Sequence, residues 1–383
     1  MTGSRCSAIP FLVGLVVAAC GGASAGDTSA AVDTLPGGAV RVSNLEPAWT
    51  PETAWRLEED LRLGTAGEER PEEQFADLRA VLADSSGTIY ILESQAQEVR
   101  VFRSDGTFSH RIGRRGRGPG ELWGAGGLNL GPDGRLWVWD PGQAGYSVFE
   151  RVGRFVTRHP RLEPSVVLPW RGEFGPDGHL YDWGIEFPGR ESGLTAPQVR
   201  FTPVRVSKDF ASIDSLPPIA LHREASGNIG AIPFTPRLTF FQDRSGGVWF
   251  ANTGEYTVRR RTLEGDTTLV LSLPATPAAV TDAERDSALD AIQRAPPRFR
   301  FEREDIPATK PVLHRLFGDG AGHVFAVVEE EGVPAGSALD VFAHDGRYLG
   351  RLDLPRPMVL PIPAPLPGIT STWSCATSST SFT

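Results

Sequence analysis

Lysine is nearly missing from this 383-residue chain: only Lys208 and Lys310 occur, beside a large complement of arginine. Acidic residues outnumber basic ones by 47 to 38, for a formal net charge of -9. Without an excess of positive charge the chain lacks the phosphate-neutralising term that dominates nucleic-acid binding, so nucleic acid is not an expected partner. Cysteine is scarce too, with three in all. Cys6 and Cys20 stand near the N-terminus and Cys375 near the C-terminus. That leaves neither a disulfide framework nor a cysteine metal site, and the core must hold by packing. The repeat region has no Gly-x-Ser-x-Gly elbow, no His-Glu-x-x-His and no Cys-x-x-Cys, which removes the common short hydrolase, zincin and redox motifs. No apolar run reaches the roughly 20 residues of a bilayer span.

An export signal opens the chain. Arg5 gives a short positive region, Ala8 to Val17 an apolar run, and Val17, Ala18, Ala19 and Cys20 close it with small residues before a cysteine, the layout of a cleaved signal peptide. Val17 to Cys20 resembles the lipobox of bacterial lipoproteins. The resemblance implies that residues 1–19 are removed and that Cys20 is diacylated, anchoring the chain to the envelope membrane. Gly21 rather than aspartate follows Cys20, which in such lipoproteins implies the outer membrane. Residues 20–45 are rich in Gly, Ala, Ser and Thr, bury too little to fold, and read as a flexible tether.

Beyond the tether one unit recurs five times: a turn ending in glycine, one variable residue, an aliphatic and an aromatic. The copies are Gly87 to Tyr90, Gly134 to Trp137, Gly178 to Tyr181, Gly246 to Trp249 and Gly322 to Phe325. Glycine fits a tight hairpin turn, and the apolar residues after it read as a strand. A second turn follows at Asp105-Gly106, Gly153, Glu264-Gly265 and Asp345-Gly346, after Val101-Phe102, Val148-Phe149, Val258 and Val341-Phe342. Four-stranded antiparallel units at a period of about 45 residues are the blades of a β-propeller. The expected fold is therefore all-β: a six-bladed propeller over residues 46–368, its sixth blade incomplete, with one short helical insertion. Thr281 and Glu284 form a capping box, and Ala288, Leu289 and Ile292 share a helical face before Pro296 and Pro297. Trp137, Trp139 and Trp249 are expected to fill the layers between blades.

Gly113, Arg114, Arg115, Gly116, Arg117, Gly118, Pro119, Gly120, Glu121 and Leu122 resemble the glycine-rich signature of bacterial six-bladed propeller lipoproteins related to NHL-repeat and TolB-like propellers. The resemblance implies a connection between the first two blades. The glycines and proline account for a sharp turn without chemistry, and the arginines read as a solvated face.

A sixth repeat is missing. Residues 369–383, rich in Ser and Thr, lack strand periodicity and the charged residues that precede them. Reading GC-rich codons from the last base of each turns them into a strand-like peptide that restores the repeat after Gly368. We therefore expect an aberrant tail produced by a frameshift, an idea that resequencing of the gene's last segment tests. Trp55 to Leu63 is the expected outer strand of the sixth blade.

Positions seven to nine residues before the signature glycines point toward the central channel and supply Arg79, Trp170, Arg171, Arg237, His314 and Arg315, with Asn129 as the nearest amide. Lactonase-type six-bladed relatives hold Ca²⁺ there with Glu, Asp and Asn; several arginines and a histidine repel a divalent cation instead, so no metal or other cofactor is expected. These residues suit an anionic or sugar-acid group, through bidentate hydrogen bonds and stacking, unless the arginines are spent on Asp77, Glu173, Asp243 and Asp319. His110, His159 and His222 read as surface residues. The function expected is a non-catalytic binding or scaffold module for a protein, peptide or glycan, held at the membrane by its lipid; the alternative is a lactonase, lyase or hydrolase working in the channel.

Overall fold

The computed structural model describes residues 29–57, 59–64, 70–164, 170, 172–186, 199–221, 232–293, 301–319, 321–329, 336–355 and 358. A hairpin of β1 (Ala30–Thr34) and β2 (Val40–Asn44) precedes five successive antiparallel meanders. The first holds β3 (Leu78–Ala83), β4 (Ile89–Glu93), β5 (Glu98–Phe102) and β6 (Phe108–Ile112). The second holds β7 (Gly127–Leu130), β8 (Leu136–Asp140), β9 (Gly145–Phe149) and β10 (Phe155–Pro160). In the third, β11 (Glu173–Phe174), β12 (Leu180–Glu186), β13 (Val199–Val206) and β14 (Ile213–Ser215) are joined by β15 (Ile219–Leu221), which also pairs with β13. The fourth comprises β16 (Leu238–Gln242), β17 (Val248–Asn252), β18 (Thr257–Arg261) and β19 (Thr267–Ser272). After helix α1 (Asp282–Gln293) the fifth comprises β20 (Leu313–Gly318), β21 (Val324–Val328), β22 (Ala338–Phe342) and β23 (Tyr348–Asp353).

The five signature glycines sit in the first turn of each meander at φ between +74° and +97°, a region that costs other residues a steric clash. Side chains from successive sheets interdigitate. Leu92, Val99 and Val101 pack with Leu136, Val138 and Phe149; Trp137, Trp139 and Tyr146 with Leu180 and Val206; Trp183 with Phe240 and Val248; and Trp249, Val258 and Leu271 with Leu316, Val324 and Phe342. Each such side chain contributes about 1.5–3 kcal/mol. The first strands turn toward one another, β3 beside β7 and β16 beside β20, with Leu316 N donating to Thr239 Oγ1 at 2.9 Å. They are the inner strands, and the face at which they begin is the entry face.

Five blades lie within the described residues, and the expected C-terminal strands of a sixth fall outside them, with the tail at 369–383. The described part of residues 55–63 is not the expected strand. It covers the flanks of the fifth and first blades instead. Trp49 and Trp55 pack on Phe325, Val327, Leu339 and Val341, while Leu61 and Leu63 approach Gly106.

The tether expected over 20–45 is also corrected. From Ala30 onward the chain pairs, with β2 running parallel to β19 as an added strand of the fourth blade. Composition hides this because the strand borrows its stability from an existing sheet edge: Val42 is buried there. Asn44 Nδ2 donates to Gly346 O at 3.0 Å and its Oδ1 accepts from Tyr348 N at 2.8 Å, stapling the strand to the fifth blade. Residues 1–28, including Cys20, lie outside the described residues.

Helix α1 starts at the expected cap, with Thr281 N donating to Glu284 Oε2 at 2.9 Å and Glu284 N to Thr281 Oγ1 at 3.2 Å. Its apolar face belongs to a cluster separate from the layers between the blades. Ala288, Leu289 and Ile292 pack with Val280, Phe301 and Ile306, and with Ile232 and Phe234 from the connection into β16. Two connections that lead into inner strands thus build a small core of their own, a cap beside the entry face.

Candidate functional site

The turns that end the inner strands fix a common register. Asp84, Gly131, Gly175, Asp243 and Asp319 each donate their backbone N–H to the residue four positions on, so they are equivalent. Arg79, Trp170 and His314 each lie five positions earlier and occupy one place in three blades.

The structure separates the residues expected at the mouth. Arg79 Nη2 lies 2.9 Å from Asp77 Oδ2, and its Nε donates to Ser94 Oγ at 3.2 Å. Arg237 stands at the entry of β16, its N–H donating to Thr253 Oγ1 at 2.8 Å. Arg315 is one position deeper than His314, and burial draws its guanidinium down from its ordinary value. Arg171 and His222 lie outside the described residues.

Two of the expected mouth residues are instead structural. Trp170 stacks between blades on Trp139, ring centroids 6.3 Å apart, lies tilted against Tyr146 at 5.6 Å, and donates to Asp182 Oδ1 at 3.1 Å. Apolar neighbours on both sides draw the indole out of the channel. Asn129 is buried and lies toward the far end of its strand, where Nδ2 donates to Gly172 O at 2.9 Å and Glu173 Oε2 at 3.2 Å. Burial pushes the Glu173 carboxyl up, against that bond and the charge of Arg244. Asp243 pairs with Arg260 and Asp319 with His323, so of the pairs expected to absorb the arginines the described residues show Arg79 with Asp77. His159 is half-buried; it stacks on Phe210 with centroids 4.0 Å apart, and burial lowers its pKa. His110 is half-buried and bonds Arg151 O at 2.8 Å.

At the fifth blade the entry face carries an ionic cluster. Glu329, at the end of β21, pairs with His314 Nε2 and with Lys310 Nζ at 3.1 Å, and Lys310 also meets Glu284 of α1 at 2.6 Å. Burial alone would raise the Glu329 carboxyl; hydrogen bonds from His314 and Lys310 outweigh it and hold it below the ordinary value. His314 Nδ1 has no hydrogen-bond partner among the described residues, and the ring is partly exposed. A carboxylate on one ring nitrogen leaves the other free to accept or donate a proton. Sequence reasoning found His314 and missed Glu329, Glu284 and Lys310. Their signal was available in the repeat, since Glu329 takes the place that Ser94 holds beside Arg79. No group of three or more His, Cys, Asp or Glu arranged to hold a metal occurs among the described residues.

Residues 76–124, covering the first blade and the glycine-rich loop, match the DUF5128 family, described as a 6-bladed beta-propeller. With that match on five inter-packed four-stranded meanders, the architecture is decided. The chain is a β-propeller. Curated protein sequences give no match to it. Solved structures similar to this propeller include an exported protein from Bacteroides fragilis NCTC 9343, 13% identical, with a TM-score of 0.44 over 80% of this chain and 78% of that one. Virginiamycin B lyase from Staphylococcus aureus is 14% identical, with a TM-score of 0.39 over 74% and 72%. A gluconolactonase from Xanthomonas campestris is 13% identical, with a TM-score of 0.39 over 74% and 77%. Likeness at this level says nothing of ligand or reaction.

Proposed function

We propose that this propeller is an exported lipoprotein, anchored through Cys20 at the outer membrane, that works as a non-catalytic binding or scaffold module for a protein, peptide or glycan at its entry face. The observation that carries the reading is the cap: α1 and the connection into β16 share a core separate from the blades, and Lys310 ties it to the mouth residues Glu329 and His314. A folded element beside one end of the inner strands can add walls to the mouth, and ligand sites are concave. The lipid anchor rests on the lipobox resemblance, and mass spectrometry of the mature N-terminus, with and without Cys20→Ala, tests it.

The His314–Glu329 pair favours a second reading, proton-transfer chemistry at the same mouth. Thermal unfolding of the mature chain separates the two, measured with acidic saccharides and acidic peptides, with divalent cations, and after EDTA. A rise in midpoint that grows with the logarithm of ligand concentration, equivalent to about 2.7 kcal/mol of stabilisation at a hundred times Kd, with the ligand recovered unchanged, is expected of a binding module. Ligand consumption that disappears in His314→Ala moves the conclusion to an enzyme. No rise with any ligand counts against the entry face as a site.

A further inference from the structure

The loop between the first two blades is built more rigidly than a connection needs. Glu121 folds back so that its carboxylate accepts from Gly118 N at 2.8 Å and from Arg114 Nε at 3.0 Å. A Cβ at Gly116 would collide with that carboxylate. Leu122 is fully buried, its N–H donating to Arg114 O at 2.8 Å while its carbonyl accepts from Gly116 N at 2.9 Å. From the second blade, Arg158 and Gln143 donate to Glu121 O at 3.0 and 2.6 Å.

This frame holds its cations outward. Arg117 lies over the indole of Trp123, 4.6 Å from the ring centroid, and no carboxylate pairs with it among the described residues. Arg115 donates to Gln95 O and likewise has no carboxylate partner there. Trp123 is 43% exposed, the one tryptophan among the exposed large apolar side chains of the described residues, and its backbone N–H donates to Asp140 Oδ2 at 2.8 Å. It stands just before the chain enters β7, so the pair lies on the entry face.

We propose that Arg117, Trp123 and Arg115 form a subsite for an acidic saccharide, a sugar ring bearing a carboxylate. This deepens the binding reading above and rests on it. An exposed indole offers a flat apolar surface to the C–H face of a sugar ring, and an unpaired guanidinium beside it binds the carboxylate through two parallel hydrogen bonds. Order already present in the loop lowers the entropy lost on binding. The subsite offers side chains, a flat indole and two guanidinium forks, whereas extended peptides are usually held by a row of backbone hydrogen bonds. Its local positive charge stands against a chain of net charge -9, so attraction of an anion here is a property of this loop.

The test titrates the mature chain calorimetrically with tetragalacturonate, with its neutral methyl ester and with tetraglutamate. In parallel, the 5-fluorotryptophan resonance of Trp123 is followed after assignment by Trp123→Phe. Saturable binding of tetragalacturonate is expected, with a shift of the Trp123 resonance and a Kd about tenfold higher in Arg117→Ala and in Trp123→Ala. Both side chains are exposed, so the unfolding midpoints of the variants should match the parent. No binding of tetragalacturonate, equal binding of its methyl ester or of tetraglutamate, or a Kd untouched by both substitutions overturns the subsite. Binding that survives these substitutions but is lost in His314→Ala removes this subsite and leaves the wider entry-face reading standing.

Discussion

Lys310 Nζ lies 2.6 Å from the Glu284 carboxylate on α1 and 3.1 Å from Glu329 Oε1 at the end of β21. A single ammonium joins the cap to the blades, and it belongs to one of only two lysines in the chain. Replacing it with Lys310→Met leaves Glu329 with His314 alone and Glu284 with its own helix cap. A loss of about 1–3 kcal/mol follows from leaving a largely buried carboxylate short of a partner. Because the cap has its own core, the loss should fall there first. Amide exchange of α1 should accelerate while the slow amides of β4, β5, β8 and β9 keep their rates. Unchanged exchange in α1 would show that the bridge does not hold the cap.

Glu329 sets a pH dependence whose sign follows from its depressed pKa. Its stabilisation is present above the unfolded carboxylate value of about 4.3 and is lost as pH falls through the lower folded value. Glu329→Gln should therefore be less stable than the parent near neutrality and lose less stability on going from about pH 5 to pH 3. Glu173 runs the other way, because burial raises its pKa. Its ionisation opposes folding as pH rises through the folded value, so Glu173→Gln should be as stable as the parent or more so at pH 7. Urea unfolding across that range checks both, and parallel acid limbs for parent and Glu329→Gln would contradict the first.

Asp340 is fully buried and accepts from Tyr256 OH at 2.6 Å, Tyr348 OH at 2.9 Å and Arg351 Nε at 3.0 Å. Burial first, and then this carboxylate, push both phenols above their ordinary value. The network crosses from the fourth blade to the fifth. Asp340→Ala strands a guanidinium and two buried hydroxyls and should cost about 3–5 kcal/mol. An unfolding free energy, measured in urea, that changes by less than about 0.5 kcal/mol, the usual range for surface changes, would mean the three donors find other partners.

Asn44 fixes the N-terminal belt. Truncation in Asn44→Ala frees Gly346 O and Tyr348 N and should cost about 1–3 kcal/mol. The amides of β2 should exchange sooner than those of β19. Equal protection in both strands of the variant would show that the parallel pairing holds without the staple.

The blades were legible because each depends on a local rule repeated five times. A glycine at positive φ ends a turn, and the apolar residues after it enter a buried strand, so Gly87 with Tyr90 and Gly134 with Trp137 gave both the turn and the inward layer. The capping box of α1 is equally local: Thr281 and Glu284 are three residues apart and need no other part of the chain. The entry-face residues were legible only as a register. Counting back from the glycines found Arg79 and His314 in equivalent places, but counting carries no information about which way a side chain leans. Trp170, equivalent to both, leaned into the layer between blades because Trp139 and Tyr146 wait there.

Sequence alone thus determined the repeating turn-and-strand units and the capped helix, since each is decided within a few residues by backbone sterics or composition. Only the tertiary structure decided that residues 30–44 form strands, that α1 builds a cap and that Lys310 binds it to His314 and Glu329. The reason is distance along the chain. Ser272 lies beside Ser43 and Gly346 beside Asn44, and contacts between residues hundreds of positions apart leave no periodic trace in a segment whose own composition is too polar and too small to fold.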